Sequence, residues 1–306
     1  CGVKWESALG ATPAGQTPRR SNAGREFPKR RLETPGTLGY PAGFPFRENP
    51  TKPPQPMKIR IPLPALVCAA LLPLATDCAA LTPFEENFNG SSLDPSVWAT
   101  AAFKNARLVQ NNQRLNFLVG PVSDPDEDYA YIELLENQPS INESWQTVVD
   151  VTNTAGKRDH VGVGFWIYNT SRTGDVVFFE FYGNPTKKSL TSVRASFVIN
   201  SRDAVKQLDL KPKVTSGKLM VSFNAKTKVF SFSFGKRVPK TSGKGTTLVW
   251  QQMGTFSPAS DKNPSGETWL FDRNTRFGIR LEGYGENRLV AGGQASMDNF
   301  VLRAPK

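Results

Sequence analysis

Carboxylates and aromatic rings are the side chains of this sequence whose spacing brings chemistry within reach. In Asp175-Val-Val-Phe-Phe-Glu-Phe-Tyr182 the β-branched and aromatic residues predict a strand. Alternate strand residues share a face, so Phe178, Glu180 and Tyr182 point the same way. A retaining glycosidase needs two carboxyls about 5–5.5 Å apart, and this strand supplies only Glu180. Glu133 and Glu136 stand three apart and would face opposite ways on a strand. Asp124, Asp126, Glu127 and Asp128 fall in the turn-rich run Ser123 to Asp128 and read as a solvated acidic loop. A hydrolase or lyase that draws its acids from different strands would use Glu180 with Glu282.

Other catalytic arrangements find little material. His160 is the only histidine, at the start of an expected strand, where it reads as a surface residue rather than a general base. There is no G-x-S-x-G elbow, and Gly162-Val-Gly164 runs into a strand instead of a helix N-terminus, so it cradles no phosphate. Catalysis is therefore the secondary reading, and binding the first.

Alternation separates the binding candidates from the core. If Val161, Val163, Phe165 and Ile167 turn inward, Trp166 and Tyr168 turn outward. The same rule leaves Arg194 and Ser196 outside in 193–199, and Arg280 and Glu282 outside in 277–282. Aromatic faces stack on the C–H side of a sugar ring while charged groups bind its hydroxyls, so such a set suits a glycan. The competing expectation is that the rings pack under a loop and the charges pair with one another.

The elements that carry these residues are strands throughout. Period-2 runs recur at 161–168, 193–197, 230–234, 277–282 and 297–303, divided by turn clusters such as Thr170–Gly174, Thr241–Gly245 and Asn263–Gly266. No helical apolar stripe exceeds two turns, and no repeat of 20–50 residues suggests a propeller or solenoid. An all-β fold of two antiparallel sheets, one domain over 81–306, is the expectation.

The first eighty residues differ in kind. Segment 1–56 is rich in Pro, Gly, Arg and Ser without apolar periodicity, and predicts a disordered arm or an overlong gene model preceding the start at Met57. Residues 57–80 follow the order of a secretory signal peptide: Lys58 and Arg60, then the fifteen apolar-rich residues Ile61 to Ala75, then Cys78-Ala79-Ala80. Pro62, Pro64 and Pro73 interrupt that run, which is shorter than the ~20 residues of a bilayer span, so no stable membrane anchor is expected. Asp77 before Cys78 fits lipidation poorly. The chain as a whole carries a net charge of +11, but 81–306 holds 27 basic and 22 acidic residues, a net of +5, and no cysteine. Without aromatic interleaving or a folded basic surface, that charge does not point to nucleic acid. The expected setting is secreted or periplasmic, and disulfides and zinc–thiolate sites are absent from 81–306. The sequons at Asn89, Asn142 and Asn169 would matter only in a eukaryotic secretory pathway.

Phe84-Glu-Glu-Asn-Phe-Asn-Gly90, followed by Leu93-Asp94 and Trp98, resembles the opening of concanavalin A-like lectin/glucanase domains. Asn112-Gln-Arg-Leu-Asn-Phe117 is similar to the turn and strand that come next there, and Ser296-Met-Asp-Asn-Phe-Val-Leu-Arg303 to their last strand, which returns beside the first. The resemblance implies a jelly roll like laminin-G modules and family 16 glycoside hydrolases. It implies a concave sheet that gathers Trp166, Tyr168, Glu180, Tyr182, Arg194, Arg280 and Glu282 on one surface, with a polysaccharide or glycan as partner. Family 16 catalysis uses E-x-D-x-E or E-x-D-x-x-E on one strand, and 81–306 contains neither. The resemblance also implies a structural Ca²⁺, held by Asp298 and by the backbone carbonyls of Asn87 and Gln113, an oxygen-only set that suits that ion. The resulting expectation is a non-catalytic carbohydrate-binding or extracellular interaction module. Its alternatives are a divergent glycoside hydrolase or polysaccharide lyase, and a structural or adhesive module that binds no sugar.

Overall fold

The structure, a computed structural model, describes residues 81–120, 128–155, 161–183, 191–201, 205–285 and 289–305. The segment 1–56, the leader 57–80, Asp124, Asp126, Glu127 and His160 lie outside the described residues. Those described form strands and turns with no helix. One sheet contains β1 (Phe84–Glu86), β3 (Ala106–Asn111), β4 (Arg114–Val119), β6 (Trp145–Asn153), β11 (Ser216–Asn224), β12 (Val229–Pro239), β13 (Thr246–Phe256) and β15 (Ala295–Arg303). Its order is β13-β12-β11-β6-β15-β4-β3, with β1 added to the β15 edge. The other contains β2 (Trp98–Phe103), β5 (Asp128–Leu134), β7 (Val161–Asn169), β8 (Arg172–Gly183), β9 (Thr191–Val198), β10 (Lys206–Leu210) and β14 (Phe277–Gly285). Its order is β10-β9-β8-β7-β14-β5-β2, and the pairings in both sheets are antiparallel.

Alternation dictates what fills the space between the sheets. Phe230, Phe232 and Phe234 of β12 turn inward to meet Phe179 and Phe181 of β8, with ring centroids 5.3 Å apart for Phe179–Phe232 and 5.6 Å for Phe181–Phe234. Phe197 stacks on Phe256 at 4.4 Å, and Trp98 meets Phe300 edge-on at 5.5 Å. Each such ring stabilises the sandwich by about 1.5–3 kcal/mol through burial, with roughly 0.5–1.5 kcal/mol more for a well-placed aromatic pair. Gly283 and Gly217 belong to this packing: a Cβ at either would lie 2.2 Å from the ring of Phe117 or Phe234.

The long connection from β13 to β14 is tied down by one buried carboxylate. Asp175 of β8 is fully buried and pairs with Arg172, at 2.9 Å from Nε and 2.8 Å from Nη2. It also accepts the backbone N–H groups of Asn200 and Leu270 and the Nδ2 of Asn169. Asn169 is itself buried and donates to the Leu270 carbonyl, so its sequon has no exposed amide to glycosylate. Asp128 departs from the solvated loop expected of it. It opens β5, is buried, and accepts the Asn105 N–H at 2.8 Å. The Thr170–Gly174 turn cluster is likewise shorter than expected, because β8 already begins at Arg172.

Removing Asp175 leaves Arg172 without its carboxylate partner and takes the acceptor from the part-buried backbone N–H groups of Asn200 and Leu270. Breaking a buried pair from one side costs about 3–5 kcal/mol. Asp175→Ala should therefore lower the urea midpoint by that equivalent, and a change below about 1 kcal/mol would show that the carboxylate does not hold the connection.

Candidate functional site

Inward burial of Val163, Phe165, Phe179, Phe181, Ile279 and Leu281 sends the residues between them to the outer face of the seven-stranded sheet. Cross-strand register then sets them in rows. One row runs Asp209, Arg194, Glu180, Gly164, Glu282, Tyr131 across β10, β9, β8, β7, β14 and β5. The row on one side is Phe178, Trp166, Arg280, Glu133. The row on the other is Tyr182, Gly162, Tyr284, Tyr129, Phe103. The structure thus brings together Trp166, Tyr168, Glu180, Tyr182, Arg194, Arg280 and Glu282 on one face.

Glu180 and Glu282 stand on either side of Gly164, both less than a tenth exposed. Their backbones are two strand spacings apart, about 10 Å, a gap that two glutamate side chains can narrow above a residue with no side chain of its own. Gly164 has no room for one: a Cβ there would lie 2.1 Å from the Phe179 carbonyl oxygen. At Gly162 a Cβ would come within 3.1 Å of the Tyr182 ring and 3.5 Å of a Glu180 carboxyl oxygen. The centre of β7 is thus a floor of bare backbone. Tyr182 and Tyr284 lie on opposite sides of it, their rings near-parallel with centroids 6.2 Å apart, and Phe103 stacks on Tyr129 at 4.1 Å.

The other wall is an ordered charge cluster. Arg280 Nε donates to Glu133 Oε2 at 2.7 Å, and the Tyr168 hydroxyl donates to Glu133 Oε1. The guanidinium lies 4.2 Å from the Tyr131 ring centroid, 4.8 Å from that of Tyr168 and 5.8 Å from that of Trp166, distances at which cation–π attraction operates. Tyr168 reaches Glu133 by lying across Gly278, where a Cβ would sit 2.1 Å from its ring. Burial, its largest influence, opposes the charge of Arg280, but Glu133 with the Tyr131 and Tyr168 phenols outweighs it and raises the guanidinium pKa. Burial first, then the hydrogen bond to Glu133 and that carboxylate's charge, raise the Tyr168 phenol well above its usual range against the pull of Arg280. Arg194 pairs with Asp209 at 3.2 Å and lies 5.1 Å from the Tyr182 ring centroid. Arg280 and Arg194 thus pair with Glu133 and Asp209, two carboxylates outside the predicted set. Trp166 packs edge-on against Phe178 at 4.5 Å and stays partly exposed. Tyr129, Tyr131 and Glu133 of β5, Phe103 of β2 and Tyr284 of β14, just past the 277–282 run, also belong to the face.

Asn87, Gln113 and Asp298 are placed by the other sheet. β4 pairs with β15 as far as Met297, and β1 takes up the pairing at Phe300, so the ends of both strands adjoin the bulge between Asp298 and Val301. Asn87 follows β1 directly, and Gln113 directly precedes β4. The Asp298 carboxyl accepts the Asn299 N–H at 2.7 Å. Burial, and the negative charge of Asp150, raise its pKa against that hydrogen bond and the charges of Arg114 and Lys218. No group of three or more His, Cys, Asp or Glu side chains that could hold a metal ion occurs among the described residues.

Two antiparallel sheets packed face to face, with the first strand returning beside the last, make the fold a concanavalin A-like jelly-roll β-sandwich. No family model and no curated protein matches the chain. Solved structures similar to it include laminarinase from Flavobacterium sp. UMI-01, 11% identical over 72% of this chain and 98% of that chain, at a TM-score of 0.46. A prokaryotic β-1,3-1,4-glucanase (lichenase) derived from a mouse hindgut metagenome is 15% identical over 74% of this chain and 100% of its own, at a TM-score of 0.44. The potassium-bound carbohydrate recognition domain of Emp46p is 10% identical over 69% and 90%, at a TM-score of 0.42. These are likenesses of architecture, at identities where residue roles do not carry across.

A free tyrosine loses its proton near pH 10. Because the folded-state pKa of Tyr168 is raised, the stability it contributes is intact below about pH 10 and is lost as pH rises from there. Urea midpoints between about pH 9 and pH 11 should fall more steeply for the wild type than for Tyr168→Phe. Equal slopes would place the phenol outside the cluster.

Proposed function

We propose that the outer face of the seven-stranded sheet is a carbohydrate-binding surface of a non-catalytic module. The observation that carries this reading is the floor of Gly162 and Gly164 between ring-bearing walls, with Glu180 and Glu282 on its two sides. A pyranose presents C–H groups to rings and hydroxyl donors to carboxylates. Trp166, Tyr131, Tyr129 and Phe103 are the rings this face leaves at least partly exposed, while Tyr182, Tyr284, Glu180 and Glu282 lie deeper, each less than a tenth exposed. The row of Tyr182, Tyr284, Tyr129 and Phe103 crosses five strands, roughly 19 Å, a length suited to several sugar units. The pairing of Arg280 with Glu133 and Tyr168 holds the wall in place before any ligand arrives. The leader pattern of 57–80 supports a secreted or periplasmic setting, and the exported chain should then begin at Leu81 when its N-terminus is sequenced.

Binding should be measured against glucans, galactans and anionic polysaccharides, with reducing-end and 235-nm assays run alongside. We expect binding without turnover, weakened about tenfold or more by Trp166→Ala or Tyr284→Ala. No binding across the panel would leave the structural or adhesive reading. The placement of Glu180 and Glu282 across one glycine favours a second reading, a hydrolase or lyase. Oligosaccharide release that disappears in both Glu180→Gln and Glu282→Gln would establish it.

Calcium belongs to the same proposal. An oxygen set of Asp298 with the carbonyls of Asn87 and Gln113 suits the ion by donor type, while the charges of Arg114 and Lys218 on Asp298 work against it. A structural ion predicts that EDTA lowers the melting temperature of the wild type and leaves Asp298→Ala unaffected. An unchanged wild-type curve would remove the ion from the account.

A further inference from the structure

The outer face of the eight-stranded sheet, on the opposite side of the sandwich, carries a groove of about 540 Å³. That is the size of a small-molecule site. Alternation builds it too. Leu219, Phe234 and Val149 turn inward, which puts Gly235, Lys218, Asp150 and Asp298 in one outward row across β12, β11, β6 and β15. Trp250 of β13 continues the row, its ring lying over Gly235, where a Cβ would be 2.9 Å from it. Ser216, Thr152 and Ser296 form the neighbouring row and supply a hydroxyl-lined stretch of floor.

Four cations, Arg114, Lys213, Lys218 and Arg237, line this groove against two carboxylates, Asp150 and Asp298. Lys218 is committed to Asp150, which also accepts the Asn299 side-chain amide at 3.2 Å. Among the described residues, Arg114, Lys213 and Arg237 form no ion pair with a carboxylate. A bare phosphate would meet repulsion from Asp150 and Asp298. A polyhydroxylated ring bearing one anionic group would not, because its hydroxyls can donate to those carboxylates while its anion meets the unpaired cations. Trp250, more than a third exposed, lies just beyond the groove lining at the end of the row, where a longer ligand would meet its ring.

We propose that this groove is a second saccharide site, selective for a sugar unit that carries a carboxylate or a sulfate. It is independent of the face described above. The test is calorimetric titration of the full chain with a galacturonate trisaccharide, a chondroitin sulfate tetrasaccharide, neutral maltotriose and sodium sulfate. One of the two charged oligosaccharides should bind, and which one does identifies the anion. Its affinity should fall with added salt, weaken about tenfold in the double variant Lys213→Gln/Arg237→Gln, survive Arg237→Lys, and be unchanged in Trp166→Ala. The proposal is overturned if neither charged oligosaccharide binds, if the double variant binds as the wild type does, or if sodium sulfate binds as tightly as the sugars. Loss of that binding in Trp166→Ala, with the double variant intact, would assign it to the other face and overturn the proposal equally.

Discussion

The outer faces of this sandwich depend on a closely packed layer of rings between two sheets that no disulfide joins. The layer tolerates only one register. A slip of one residue in β8 would turn Phe179 and Phe181 to the outer face and push Glu180 and Tyr182 in between the sheets in their place. The same fixed register, applied to β7 and β14, is what sets Gly164 between Glu180 and Glu282 and puts Arg280 opposite Glu133. The site is in this sense a by-product of core packing, and its accuracy is inherited from it.

Much of this was legible in period-2 patterns, because side-chain direction on a strand is a local property. The runs at 161–168, 230–234 and 277–282 became β7, β12 and β14 with the expected faces inward. Strand order is not local. Glu133 and Arg280 are 147 residues apart in sequence, and nothing in either segment announces that β14 inserts between β5 and β7. Sequence spacing relates Glu133 only to Glu136, whereas its partners Arg280 and Tyr168 come from other strands. The pattern of β5 was nevertheless available: Tyr129, Tyr131 and Glu133 alternate with Ala130, Ile132 and Leu134 as cleanly as any run in the chain. Asp128 and Asn169 escaped for a different reason. Both have residue types that favour turns and solvent, and both are buried because specific backbone or side-chain groups meet them there.

Charge is handled in two ways on the two outer faces. On the seven-stranded sheet Arg280 and Arg194 each have a carboxylate and an aromatic ring, so the cations there act mainly as fasteners that hold rings in place. On the eight-stranded sheet one lysine is fastened to Asp150, and three further cations line the same groove without an ion pair among the described residues. If the two faces bind as proposed, the ordered wall with its charges paired would discriminate mainly by shape and hydroxyl pattern, and the groove cations by charge, less strongly as ionic strength rises.

The two glycines in the middle of β7 bear on how such a site could change over evolutionary time. Where the floor beneath a ligand is main chain, ordinary point substitution has nothing there to alter, and replacing the glycines themselves meets the Phe179 carbonyl or the Tyr182 ring. Variation in what this face accepts would have to enter through the walls. The depth of the trough is then set by the main chain of β7, whatever side chains surround it.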